Sequence, residues 1–227
     1  MAEVLITLGI IGIVAAMTMP VLLANKQKKE LQTGLKAAYS ILQQALNRAS
    51  YEEGYTISQD NIQARSLKKL IMPYFDSPVD CSWGGIHGTT NTIICAGGIS
   101  DTTAGQSTTT YNNYAKNTGN ISTIFLDDGQ FITKNGMLFM IENQSAEYRT
   151  YISVDVNGVS KKPNVWGQDL FTFQLTKEGK ILPMGAEGTD YYQKESQYCS
   201  KTSTSNYNGV ACTQKAMTDE NYWKTLP

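Results

Sequence analysis

An α+β architecture is expected, with one long N-terminal helix packed on an antiparallel β-sheet. Two patterns lead there. The first 50 residues read as helix throughout, apolar on every side at first and one-sided later. Residues 122–183 then break into short apolar segments separated by Asp-Gly, Asn-Gly and Glu-Gly pairs, the punctuation of hairpins. The length of 227 residues suits one large domain, or one ordinary domain with an appendage.

Composition removes several functions. Lys and Arg total 19 against 20 Asp and Glu, a net charge of −1, so bulk charge favours neither nucleic acid nor an anionic membrane. Apolar residues at 41% and aromatic residues at 10% argue against disorder. The single histidine, His87, excludes multi-His metal centres and any mechanism needing two imidazoles. Charged residues make up 17% while Thr occurs 24 times, a neutral, hydroxyl-rich surface of the kind common on exported proteins.

The run from Val4 to Ala24 carries no charge over 21 residues. As a helix it spans roughly 30 Å, the thickness of a bilayer's hydrocarbon core. A secretory signal peptide needs a basic segment before the apolar run, and none precedes this one. A simple transmembrane anchor fits the length but leaves Glu3 unexplained, because a carboxylate at an apolar start is costly in lipid.

Glu3, Gly9, Gly12 and Pro20 stand at fixed offsets in the segment Met1–Pro20. This pattern resembles the N-terminal segment of processed type IV pilins and type II secretion pseudopilins, strongly over about residues 1–50. In that family the glutamate is normally the fifth residue, after an N-methylated Phe. Here it is the third, and the other positions shift by the same two places. The resemblance therefore implies two residues, Phe-Thr, ahead of Met1 in the natural mature chain, and a short basic leader removed by prepilin peptidase. By the positive-inside rule alone, Lys26, Lys28 and Lys29 would put the globular part in the cytoplasm; a removed basic leader cancels that inference.

The resemblance also implies roles. The Glu3 carboxylate would pair with the N-terminal amine of a neighbouring subunit and set axial register, since an unpaired charge in a dry core costs several kcal/mol. A plainer role for Glu3 is an interfacial residue favoured by the helix dipole. The segment around Gly9, Gly12 and Pro20 would partly unwind during packing, or the glycines would simply permit close helix approach.

Beyond Pro20, Leu31, Leu35, Tyr39, Leu42, Leu46 and Ala49 recur at three- and four-residue steps and form one apolar stripe. Lys28, Glu30, Gln32, Lys36, Gln43 and Arg48 take the other faces. Residues 1–24 are thus expected to be a transmembrane and polymerisation half-helix, and residues 25–227 a globular head. A second helix is expected over Asp60–Ile71, capped by Asp60 and ended by Pro73. Residues 84–120, rich in Gly, Thr, Asn and Ser, read as a solvated loop or weak edge strand. Strands are expected at Ser122–Leu126, Gln130–Lys134, Met137–Glu142, Tyr151–Val156, Leu170–Thr176 and Lys180–Pro183, forming a meander that buries the helical stripe.

The four cysteines, Cys81, Cys95, Cys199 and Cys212, include no Cys-x-x-Cys pair. Of three pairings, Cys81–Cys95 with Cys199–Cys212 is favoured, because each pair brackets a turn-rich stretch. It requires an oxidising compartment. A disulfide-closed C-terminal loop is also what many type IV pilins show. Asp155, Asn157 and Asp169 lie in a segment, Asp155–Phe173, that resembles a pattern associated with secretion pseudopilins. They offer oxygen ligands that suit Ca²⁺, or alternatively cap their own turns.

No catalytic constellation is found. His87 falls in a Gly/Thr-rich loop, Asp127 and Asp128 precede a turn glycine, and no phosphate loop follows a strand. The expected function is a structural subunit, the major pilin of a bacterial type IV pilus or pilus-like filament. Its partners would be copies of itself, the inner membrane before assembly, the assembly machinery and prepilin peptidase. The alternatives are a type II secretion pseudopilin, a minor pilin or adhesin, and a membrane-anchored enzyme.

Overall fold

A computed structural model describes residues 2–81, 95–99, 106–143 and 149–227, with side chains in the first helix from Thr7 onward. Helix α1 runs unbroken from Ala2 to Glu53, 52 residues, and continues through Pro20. Its second half buries the expected stripe: Leu31, Leu35, Leu42, Leu46 and Ala49 are buried together with Ala38 and Ala45. Tyr39 is half-buried and stacks on Phe173 with ring centroids 5.8 Å apart.

The stripe packs on a six-stranded antiparallel sheet. Its strands, in spatial order, are β1 (Val79–Asp80), β4 (Gln130–Ile132), β5 (Leu138–Glu142), β6 (Thr150–Asp155), β7 (Leu170–Leu175) and β8 (Ile181–Pro183). From β4 onward sequence neighbours are also spatial neighbours, as expected of a meander. A separate two-stranded sheet pairs β2 (Ser107–Thr108) with β3 (Ile121–Ser122). At the hairpin after β4, Gly136 has φ +86°, and after β7 Gly179 has φ +71°, left-handed values that a side chain resists.

Both faces of the sheet are covered. Phe139 and Ile141 of β5, Ile152 and Val154 of β6, and Phe171, Phe173 and Leu175 of β7 face the α1 core. The alternate residues Leu138, Met140 and Leu170 enter a second core with Tyr111, Phe125, Trp166, Met184, Val210 and Ala211. The strand period of two sorts these residues into two cores. That second core comes from loops and from the C-terminal segment bearing the short helices α3 (Glu195–Tyr198) and α4 (Cys212–Thr218).

Several expectations need correction. The second helix, α2, covers only Leu67–Ile71: it ends at the expected residue, with Pro73 following in a 3₁₀ turn at Met72–Tyr74, but starts later. Arg65, at φ +58°, interrupts any earlier start, and the amides of Ser66 and Leu67 donate to Asn143 Oδ1 at 3.1 and 3.2 Å. Asp60 pairs with Lys177 at 3.7 Å rather than capping a helix. In the segment Ser122–Leu126 only Ser122 is strand; Leu126 N donates to Thr123 O at 2.8 Å, closing a turn that aims Phe125 into the second core.

Within 84–120, the described part holds the short strand β2 and exposed loop residues as expected, but Tyr111, Asn113 and Tyr114 are buried rather than solvated. On another face of α1, Gln43 Oε1 accepts from Ile181 N of β8 at 3.2 Å.

Candidate functional site

Among the described residues, the apolar side chains of the first half of α1 pack against no other element of the chain. Its large apolar side chains from Leu8 to Leu23, Met17 and Met19 included, are between 55% and 73% exposed on all sides. Among the described residues it belongs to the one helix long and apolar enough to cross a membrane. A Cβ at Gly9 or Gly12 would meet nothing within 4 Å. Nothing inside the folded chain therefore demands glycine at either position. Pro20 supplies no N–H to the turn before it, while Thr18 Oγ1 donates to Val14 O at 2.9 Å within the helix. Glu3 lies in α1, but its side chain is outside the described residues, as is all of His87.

The two disulfides are the local pair, Cys81–Cys95 and Cys199–Cys212, with Cα atoms 5.7 and 4.9 Å apart. Cys81 and Cys212 are fully buried. The second bridge ties the segment after α3 to the start of α4. The C-terminal loop between them is further closed by Asn208, whose amide group donates to Ser200 O at 2.8 Å and Ser203 O at 3.0 Å.

Asp155, Asn157 and Asp169 come together in the loop joining β6 to β7. Asp155 Oδ1 accepts from the amides of Asn157 at 3.2 Å and Gly158 at 2.8 Å, and its Oδ2 accepts from the Tyr111 hydroxyl at 2.7 Å. Asp169 Oδ1 accepts from Val165 N at 2.7 Å and Oδ2 from Asn164 N at 2.6 Å. All four carboxylate oxygens are thus engaged. Two amide oxygens of the same loop, Asn157 Oδ1 and Asn164 Oδ1, are enclosed without a donor.

Burial pushes Asp155 up to about 6, against the opposing pull of Tyr111 and the two amides. Burial, reinforced by the Asp155 charge, pushes Asp169 up to about 7. A cation here would compete with five hydrogen bonds for the carboxylates. Among the described residues no group of three or more His, Cys, Asp or Glu is placed to hold a metal ion. The geometry favours turn capping over the calcium reading.

Asp128, read from sequence as a turn residue, is buried; its Oδ2 accepts from Asn143 N at 2.9 Å and its Oδ1 lies 3.3 Å from Arg65 Nε. The sequence signal missed here is Asn143, which links Asp128 to the start of α2. The chain matches no protein-family model, no curated protein and no solved structure.

Proposed function

We propose that this chain is the structural subunit, the major pilin, of a bacterial type IV pilus or pilus-like extracellular filament. One observation supports this most: among the described residues an apolar half-helix stays uncovered, and it runs on without a break into the helix that packs in the head's core. Such a surface needs lipid or other copies of the same helix around it. The subunit would rest in the inner membrane and then be drawn into a helical core. The order of Glu3, Gly9, Gly12 and Pro20 supports the same reading, and so does a head closed by a C-terminal disulfide. A secretion pseudopilin would share the N-terminal segment. The committed Asp155 and Asp169 carboxylates give that alternative no added support.

Glu3→Ala tests the reading. The variant is expected to insert and fold normally but to enter filaments poorly, with yield down at least about tenfold by electron microscopy, as removing a buried partner of a charge costs several kcal/mol. Normal filament yield and length would refute a register role for Glu3. Absence of filaments from the parent chain under the same conditions would refute the pilus.

A further inference from the structure

At the junction of the apolar half-helix and the head, the fold gathers lysines from distant parts of the chain. Lys26, Lys28 and Lys29 follow the last apolar turn of α1. The loop after β6 docks against the same turn, because Gln27 Nε2 donates to Lys162 O at 2.9 Å. Lys161 and Lys162 therefore share a groove of about 480 Å³ with Gln27, Glu30 and Asn157. Lys116, held by Pro227 O at 2.6 Å, is also close enough to Lys28 for its charge to be disfavoured, after burial as the larger cause.

Lys26, Lys29, Lys116, Lys161 and Lys162 are exposed and Lys28 is half-exposed. Lys26 meets Glu30 at 3.7 Å and Lys116 meets the oxygen of Pro227, the last residue, whereas among the described residues Lys28, Lys29, Lys161 and Lys162 form no ion pair. These lysines gather near the point where the membrane-length apolar surface ends, although the whole chain carries a net charge of −1. Such a local surplus of positive charge attracts a counter-charge from outside the chain.

We propose that this collar binds the phosphates of anionic lipid headgroups, so that the folded head, as well as the helix, rests on the bilayer surface. The proposal rests on the membrane-inserted state argued above. Depth fits, because residues 26–29 begin within a turn of Ala24 and snorkelling lysines reach headgroups from there. The added content is the contribution of Lys161 and Lys162, which belong to the head and reach this depth only through tertiary structure.

The full chain is reconstituted in phosphatidylcholine bilayers containing trace spin-labelled phosphatidylglycerol or spin-labelled phosphatidylcholine, and the motionally restricted fraction of each label is measured. The expected preference for the anionic label is about fivefold or more at low salt, collapsing toward none near 1 M salt, where the screening length is roughly 3 Å. Lys161→Gln/Lys162→Gln should lower the preference at least about twofold, whereas Lys161→Arg/Lys162→Arg should keep it. Equal restriction of both labels by the inserted chain would overturn the collar. A preference unchanged in the Gln variant would overturn the head's part in it. If neither label is restricted, the chain is not in the bilayer, and the membrane-inserted state itself fails.

Discussion

Single positions show how little slack the head has. Gly209 sits at φ +130°, and a Cβ there would lie 2.7 Å from the backbone oxygen of Trp166 and closer still to its Cβ. Trp166 is fully buried and donates from Nε1 to Thr172 Oγ1 at 3.0 Å, so it cannot move aside without breaking the second core. Gly209→Ala is expected to destabilise the head by about 3 kcal/mol, through backbone strain and overpacking together. The urea midpoint of the disulfide-intact chain measures this, and an unchanged midpoint would contradict the packing described.

Asp155 and Asp169 supply a pH prediction. Their folded values, about 6 and about 7, lie above the 3.8 of a free Asp, so the native state holds more protons than the unfolded chain between pH 4 and 7. Stability from this pair is therefore highest below pH 4 and declines as pH rises through that window. Urea midpoints at pH 4, 5.5 and 7.5 should fall more steeply in the parent chain than in Asp155→Asn. Parallel slopes would show that the pair is ionised in the fold at all three values.

Among the elements, α1 is readable because its stripe repeats at the helical period, and each leucine of that stripe is buried in the core shared with the sheet. By contrast, α2 starts at Leu67, later than the expected Asp60. Ser66 stands at the N-cap but makes no side-chain cap bond, and the capping oxygen comes from Asn143, 76 residues from Leu67. The candidate calcium ligands divided the same way. Asp155, Asn157 and Asp169 do meet, as their shared loop implied, but only the fold shows their oxygens spent on amides and on Tyr111.

The disulfides are the element with most to lose. Opening Cys199–Cys212 frees a loop of sequence separation 13 that carries Asn208 and Gly209 into the second core. Replacing both cysteines by Ser should cost about 3 kcal/mol in the loop-entropy view. Non-reduced peptide mapping by mass spectrometry should find Cys81 with Cys95 and Cys199 with Cys212, and a crossed pairing would contradict the fold.

Considered whole, the chain has two halves with opposite needs. Residues 31–49 of α1 are satisfied by the head's core, while among the described residues the apolar turns before residue 25 stay exposed. A chain beginning at Asn25 is therefore expected to be soluble and monomeric, with circular dichroism and disulfides unchanged, and to form no filaments. Burying the 21 residues of the apolar run against neighbours offers of order 20 kcal/mol per subunit, at about 1 kcal/mol per side chain before entropy. Filaments of normal diameter from the shortened chain would place the contacts in the heads and defeat the helical-core mechanism.

The amino-acid order settled the long helix, the change of character after Pro20 and the β4–β8 meander, and it favoured the disulfide pairing that the fold shows. Each of these rests on period or spacing over a few neighbouring residues, which local chemistry controls. Tertiary structure alone settled the second core, the Asn143 cap, the bond of Tyr111 to Asp155, and the seat of Lys161 and Lys162 beside α1. These join residues tens to more than a hundred positions apart. Their partners are chosen by which surfaces the packed sheet brings together, and no local pattern carries that information.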